Sequence, residues 1–236
     1  IAAAFFFLLT LQANAQVVIN EYSASNLSQF IDNHSDYEDW IELYNIGTTA
    51  VNVGGYHLSD DSTLATKYTI PAGTTIPANG FLRFWCSGRN NSSGLNYHTS
   101  FRITQTKNNG EDIVFSDPAG VILDGVDVLK TQNGHSRGRN TNGGSIWGIF
   151  TIPTPNASNT LSSAYARYAD KPDFSLNAGF YSSSLIVVVT TTEPNSTIYY
   201  TTDGTLPTQT SPILSGGVQI TSTKVLKAIT YSTDPS

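Results

Sequence analysis

The amino-acid sequence predicts an all-β protein whose strands pack face to face as sandwiches. From Val17 onward, short apolar runs alternate with clusters of Gly, Asn, Pro and Asp at nearly regular spacing, a pattern typical of such sheets. No extended apolar period of 3.6 residues occurs, so no amphipathic helix is predicted. With 39% hydrophobic and only 13% charged residues, the chain has the composition of a folded protein.

Residues 1–15 have the pattern of a secretory signal peptide. The apolar stretch at 2–11 is too short to span a bilayer, and Ala13-Asn14-Ala15 supplies the small residues of a cleavage site. We therefore expect a mature chain that begins at Gln16 and is secreted or held at the cell surface. Because no basic segment or initiator Met precedes the apolar stretch, we expect the signal peptide to be truncated at its N-terminus.

The clearest strand patterns lie within the first 45 residues. Segments 17–22 and 40–45 alternate apolar and polar side chains, which predicts strands with one buried face and one face in water. Turn residues such as Gly54-Gly55 separate the later apolar runs. The further strands are predicted at 56–59, 67–70, 81–86, 113–116 and 121–128.

Seven short motifs follow one another between residues 17 and 159. They are VVINEYSASN, DWIELYNIG, GYHLSDD, YTIPAGT, IPANG, DPAG and TPNASN. In this order they resemble the lamin-tail domain, an immunoglobulin-like β-sandwich that also occurs in secreted bacterial proteins. The resemblance implies a sandwich over residues 16–159 that acts as a binding or spacer module.

A second β region follows a predicted connector at 160–172. Strands are predicted at 185–190, 197–202 and 225–231, and Asp203-Gly204 predicts a hairpin turn. TIYYTTDGTLPT and LKAITY resemble the chitobiase/β-hexosaminidase C-terminal domain, a small immunoglobulin-like module appended to secreted enzymes. The predicted fold is therefore all-β, with two immunoglobulin-like β-sandwich domains in tandem. The second, at 173–236, is expected to be truncated because at least one more strand is expected after Ser236.

Charge and cysteine content exclude several functions. A net charge of −6 and a pI near 5.0 give no electrostatic footprint for nucleic acid. Cys86 is the single cysteine, so no intrachain disulfide forms, and its apolar context predicts a buried, inert thiol. The phosphate-binding pattern G-x-x-x-x-G-K-[ST] does not occur.

Gly134–Gly138 matches the G-x-S-x-G pattern of a hydrolase nucleophile elbow. Such an elbow needs a preceding strand, a following helix and a His further along the chain. The segment after it is rich in Asn and Gly, and the last of the four histidines, His135, precedes Ser136. The sequence therefore predicts a polar loop between strands at this point.

The acidic loop from Asp32 to Asp39 is the one candidate metal site. Clustered carboxylate oxygens suit Ca²⁺, although the spacing is not that of an EF-hand and its central Gly is absent. The alternative is a solvated turn whose Asp side chains cap backbone N–H groups. Asp60-Asp61-Ser62 is predicted to be a turn.

Aromatic residues offer a candidate platform for stacking on sugars. Trp40 and Trp147 are expected in the core, whereas Tyr199 and Tyr200 should lie on opposite faces of a strand. Asp39 and Glu42 should also lie on opposite faces, which argues against a glycosidase pair. The full candidate set is Tyr37, Trp40, Trp85, Trp147, Tyr199 and Tyr200.

No catalytic, cofactor-binding or metal-binding residue is assigned, and no enzyme activity is predicted within this chain. The sequence predicts non-catalytic binding or spacer modules of an exported bacterial protein, which contact a surface, a polysaccharide or a partner protein. The alternative is the N-terminal accessory region of a larger secreted enzyme, such as a CotH-like kinase, a nuclease or a hydrolase, whose catalytic domain lies beyond Ser236. No nucleic-acid partner and no membrane span are predicted for the mature chain, and the oligomeric state is left undefined.

Overall fold

The computed structural model describes residues 16–233, so the predicted signal peptide lies outside the described residues. The chain divides between Ala164 and Tyr165 into two compact units. In the described residues, the only helical segments are two single 3₁₀ turns, Ser62–Leu64 and Asn159–Leu161. The protein is thus all-β, as the sequence predicts.

Two larger sheets and one two-stranded ribbon form the first unit. One has eight strands in the order β14-β13-β12-β1-β2-β7-β9-β8, and the other has four in the order β11-β10-β4-β5. The strands are β1 (Val17–Ser23), β2 (Trp40–Asn45), β3 (Val51–Asn52), β4 (His57–Ser59), β5 (Tyr68–Thr69), β6 (Thr75–Ile76), β7 (Phe81–Trp85), β8 (Asn91–Ser93), β9 (Asn96–His98), β10 (Asp112–Ser116), β11 (Ile122–Asp127), β12 (Ser136–Arg139), β13 (Trp147–Phe150) and β14 (Ala164–Tyr165).

An apolar core lies between the two sheets. Ile19 of β1 and Leu43 of β2 contribute from the large sheet, and Leu58 of β4 and Phe115 of β10 contribute from the small one. All four side chains are inaccessible to solvent. Strands β3 and β6 pair separately as a short ribbon.

The second face of β1 and β2 is not in water, and the sequence-based prediction of a wet face is wrong. Every residue of β2 is buried, as are six of the seven in β1. The reason is tertiary: polar side chains such as Asn20 and Glu42 lie beneath a later segment of the chain, residues 154–159, which the local pattern does not reveal.

The second unit has a smaller core. Its strands are β15 (Asp173–Phe174), β16 (Leu185–Thr190), β17 (Ser196–Thr201), β18 (Gly217–Ile220) and β19 (Lys227–Ser232). They form a β15-β16-β18 sheet and a β17-β19 pair. Val187, Val189 and Val218 are its buried apolar residues.

Asp203-Gly204 does not join two adjacent strands as a tight hairpin turn, although the chain beyond it does fold back along β17. Gly204 does take the positive φ of a turn, 84°. However, β17 pairs with β19, whose first residue is Lys227, and the strand next in sequence, β18, pairs with β16 instead. Beyond the turn the chain returns antiparallel to β17 over residues 212–214, where the Tyr200 N–H donates to Pro212 O at 3.0 Å and the Leu214 N–H donates to Ile198 O at 2.8 Å.

Candidate functional site

The acidic loop that is the candidate calcium site brings three carboxylates together just before β2. Carboxylate oxygens of Asp32, Asp36 and Glu38 lie within 4.8 Å of one another. Asp32 Oδ1 also accepts hydrogen bonds from the backbone N–H groups of His34, at 2.7 Å, and Asp36, at 3.0 Å. Asp32 thus caps its own loop, as the alternative interpretation of this segment proposes.

Arginine side chains provide the positive charge at this cluster. Arg89 Nη1 lies 3.1 Å from Asp32 Oδ2 and 3.0 Å from Glu38 Oε1, and Nη2 contacts Asp36. Arg102 pairs with the other side of Glu38. Because Asp32 and Glu38 are buried, their charges need such partners. The guanidinium of Arg89 therefore competes with any Ca²⁺ for the same oxygens.

His98 lies beside this cluster and is buried. Its Nε2 is 2.7 Å from Asn33 Oδ1, and its Nδ1 is 2.9 Å from Ser87 Oγ. Burial lowers the pKa of His98, so the ring is neutral at pH 7 and one of its nitrogens accepts a hydrogen bond. Although Ser and His are adjacent here, both side chains are shielded from solvent and act as a structural bridge.

The G-x-S-x-G motif does not form a nucleophile elbow. Ser136 begins β12, which pairs with both β1 and β13, so the predicted polar loop is wrong at this residue. The Ser136 hydroxyl donates to Glu21 Oε1 at 2.5 Å, and both residues are inaccessible to solvent. The serine is therefore a hydrogen-bond donor to a buried carboxylate rather than an exposed nucleophile.

A row of polar residues crosses the second face of the large sheet. Gly138 of β12 is opposite Glu21 of β1, Glu21 is opposite Glu42 of β2, and Glu42 is opposite Arg83 of β7. Like charges directly opposite each other are unfavourable in a sheet. The pairing of Glu42 with Glu21, rather than with Asp39, is not evident from the sequence, because the bulge between Ile19 and Glu21 sets a register that the local pattern does not predict.

Residues 154–159, which we call the strap, cover this row. Thr154 donates to Glu21 through its backbone N–H, at 3.0 Å, and through its hydroxyl, at 2.8 Å. The backbone N–H of Asn156 donates to Glu42 Oε2 at 2.5 Å. Asn159 lies deepest, with its amide bonded to the backbone oxygen of Arg139. The strap therefore satisfies the carboxylates that it buries.

Burial changes the protonation of the two glutamates. It raises the pKa of Glu42 to about 8, with the neighbouring charge of Glu21 acting in the same direction. Burial also raises the pKa of Glu21. Among the ion pairs of the described residues, none joins Glu42 to Arg83, whose guanidinium lies 3.9 Å from the ring centre of Trp85. Glu42 is thus protonated at neutral pH.

The predicted aromatic platform is divided between the core and the surface. Trp40 and Trp85 are buried, Trp147 is half-buried against the core, and Tyr37 is half-exposed. In the second unit Tyr199 packs edge-on against Tyr231, with ring centroids 5.5 Å apart. Trp40 is buried but lies outside the apolar cluster between the sheets, whereas Trp147 packs against that cluster. Because both Trp40 and Trp85 are buried, they offer no exposed stacking surface.

A cleft in the second unit gathers aromatic residues that the sequence analysis did not select. It has a volume of about 1070 Å³ and is lined by Phe174, Phe180 and Tyr181 together with Asn177 and Thr221. The Phe180 ring is fully exposed. Its segment, NAGFYSSS, has no strand period, but an exposed aromatic pair among Gly and Ser residues is the signal that marks it.

Cys86 is buried, as predicted. It follows β7 and is 1% exposed, and burial raises the pKa of its thiol well above the ordinary value. The thiol is therefore neutral and unreactive in the folded unit.

These features define a tandem of β-sandwich modules whose polar clusters are mostly internal. Comparison with family models matches residues 10–130 to the Lamin Tail Domain and residues 176–235 to the Chitobiase/beta-hexosaminidase C-terminal domain. The first match spans more than half of the chain, so the chain belongs to the lamin tail domain family. A comparison with curated proteins gave no match.

The two families identify non-catalytic, immunoglobulin-like modules in the predicted order. The first match ends at residue 130, whereas β12, β13 and β14 continue the same large sheet. Within residues 16–233, no helix has the length and apolar character needed to cross a membrane.

Proposed function

We propose that this chain is a pair of non-catalytic binding modules of an exported bacterial protein, and that its second unit binds polysaccharide. The observation that carries the proposal is the exposed aromatic cleft of the second unit. Phe180 is fully exposed, and Tyr181 and Phe174 are each exposed by about half or slightly less. Exposed flat rings of this kind stack on the apolar faces of sugars at low entropic cost.

The polar lining of the cleft suits the same ligand. Ser182, Thr221 and Ser222 offer hydroxyl groups beside the rings, and Asn177 adds an amide. Sugar hydroxyls need such donors and acceptors when they leave water. Lys224 is the one charged side chain besides Asp173 along the lining, so the cleft favours a neutral ligand over a highly charged one.

Cosedimentation of the chain from Gln16 with insoluble chitin, cellulose, xylan and peptidoglycan tests this proposal. We expect retention on at least one polymer. Phe180→Ala should lower the affinity tenfold or more, if a stacked sugar loses as much as a nucleobase stacked on an aromatic side chain, for which alanine substitution costs about 1–3 kcal/mol. Leu206→Ala is the matched control, since Leu206 is 79% exposed in the same unit but lies outside the cleft.

Two results would overturn the polysaccharide proposal. One is no retention on any of the four polymers at millimolar binding-site concentration. The other is equal loss for Phe180→Ala and Leu206→Ala, which would assign retention to nonspecific apolar contact.

The accessory role in a larger secreted enzyme remains the second candidate. Its support is that the match to the Chitobiase/beta-hexosaminidase C-terminal domain names a domain of an enzyme. Reading the coding sequence beyond Ser236 tests it: a kinase, nuclease or hydrolase domain would make these modules accessory to that enzyme. A downstream series of further sandwich modules would favour an adhesive or scaffolding protein instead.

A further inference from the structure

We propose that the strap, residues 154–159, undergoes a pH-dependent local opening: it covers the large sheet of the first unit and opens when both Glu21 and Glu42 become ionised. In its closed position the strap encloses two carboxylates that face each other across β1 and β2. Opening admits water to both. The proposal is independent of the polysaccharide proposal, which concerns the second unit.

The closed strap is held largely by the carboxylates themselves. Its backbone N–H groups at Thr154 and Asn156 donate to Glu21 and Glu42, respectively. Asn159 Nδ2 then reaches the backbone oxygen of Arg139 at 2.7 Å. The carboxylates at the end of these contacts are inaccessible to solvent, so ionisation of both places two unsolvated charges directly beneath the strap, and opening is the movement that hydrates them.

The strap packs closely against β12, which leaves little room for it to shift without opening. A Cβ atom added at Gly138 would lie 2.9 Å from Asn159 Nδ2 and 3.0 Å from Glu21 Cγ. Asn159 therefore occupies space that any other residue at position 138 would take. A second buried charge must be accommodated by movement of the strap, because the sheet beneath it is fixed by the β1 and β2 ladders.

The hydrogen bonds that the two carboxylates accept from the strap and the neighbouring strands favour the ionised forms, but less strongly than burial opposes them. The strap carries no titratable side chain. On β12, Ser136 and Gly138 face Glu21, and the guanidinium of Arg139 is bonded to Asp124. On β7, Arg83 favours the ionised form of Glu42, yet it lies over Trp85.

The direction of the pH effect follows from proton binding. In the closed form the pKa of Glu42 is about 8, against an ordinary value of 4.5, so the closed form holds a proton that the open form releases. Closure is fully stabilised below about pH 4.5 and loses stability as the pH rises towards 8. The opening equilibrium should therefore increase about tenfold per pH unit in this window.

Amide hydrogen exchange of Thr154 and Asn156 measures this opening directly. After correction for the intrinsic exchange rate, we expect the opening constant to rise roughly 100-fold between about pH 5.5 and 7.5 and to level off above about pH 8. The amide of Asn45, which donates to Gly80 O at 3.0 Å within the same sheet, is the internal control and should show a much smaller change.

Glutamine variants distinguish the ionisation of Glu21 and Glu42 from a general effect of removing a negative charge. Glu42→Gln should remove most of the pH dependence at both strap amides, and Glu21→Gln provides the same test if the first variant folds poorly. Glu111→Gln is the matched control, because burial also raises the pKa of Glu111, whereas its carboxylate contacts Thr104 and Lys107. It should leave the strap profile unchanged.

Three outcomes would overturn the proposal. The first is a pH-independent opening constant at Thr154 and Asn156. The second is equal pH dependence at Asn45, which would indicate unfolding of the whole unit. The third is a wild-type profile in both Glu42→Gln and Glu21→Gln.

Discussion

Asn159 is the residue whose replacement tests the buried polar row most sharply. Its Nδ2 donates to the backbone oxygens of Arg139, at 2.7 Å, and Asn20, at 3.3 Å. Its Oδ1 accepts from Asn20 Nδ2, at 3.0 Å, and from the Thr154 hydroxyl, at 3.3 Å. Since Asn159 is fully buried, water cannot replace any of these partners while the unit stays folded.

Asn159→Ala should lower the free energy of unfolding of the first unit by about 2–4 kcal/mol. The bond with Asn20 Nδ2 at 3.0 Å contributes about 1 kcal/mol net. The backbone oxygen of Arg139 is left without this donor, and an unsatisfied buried acceptor costs about 1–3 kcal/mol. The Thr154 hydroxyl keeps its bond to Glu21 at 2.8 Å, which limits the loss.

Urea denaturation followed by tryptophan fluorescence is the appropriate assay. All three tryptophans, Trp40, Trp85 and Trp147, lie in the first unit, so the signal reports that unit alone. Asn91→Ala is the matched control because Asn91 is exposed on β8, and it should change stability by less than about 0.5 kcal/mol. A loss for Asn159→Ala no larger than that of the control would refute the account of the polar row.

Two further predictions concern the other buried groups. Arg89→Ala should lower the melting temperature of the first unit, because Asp32 and Glu38 lose a cation at about 3 Å, whereas the control Lys130→Ala should not. A chelator should leave the wild-type melting temperature unchanged. A drop caused by the chelator would contradict the role given to Arg89. Cys86 should react with a thiol reagent only at the rate at which the unit unfolds, and rapid labelling in native buffer would show that the burial argument fails.

Strand β2 shows how much of the fold the local sequence specifies. Its predicted bounds, 40–45, agree with the observed Trp40–Asn45, because alternation and flanking turn residues are local signals. The burial of the polar face of β2 could not be predicted in the same way. Glu42 is buried by a strap more than 100 residues later in the chain, and no local period records such a contact.

Strand β12, by contrast, could not be predicted from the local sequence. Ser136–Arg139 consists of Ser, Arg and Gly, which have little preference for strands. It forms a strand because β1 and β13 flank it and supply both ladders. Gly138 is needed there for the space that it leaves to Asn159. Composition therefore suggested a loop where tertiary contacts impose a strand.

The distribution of polar groups determines where binding is to be sought. In the first unit, the residue types that usually signal chemistry, namely Glu21, Glu42, Ser136 and His98, are all shielded from solvent and hydrogen-bonded to other protein groups. A ligand cannot reach them without opening the sandwich. In the second unit the core is small and an aromatic side chain, Phe180, is left fully exposed. Since contiguous exposed apolar surface marks interaction sites, and Phe174, Phe180 and Tyr181 line one cleft, this cleft is the surface on which binding assays should begin.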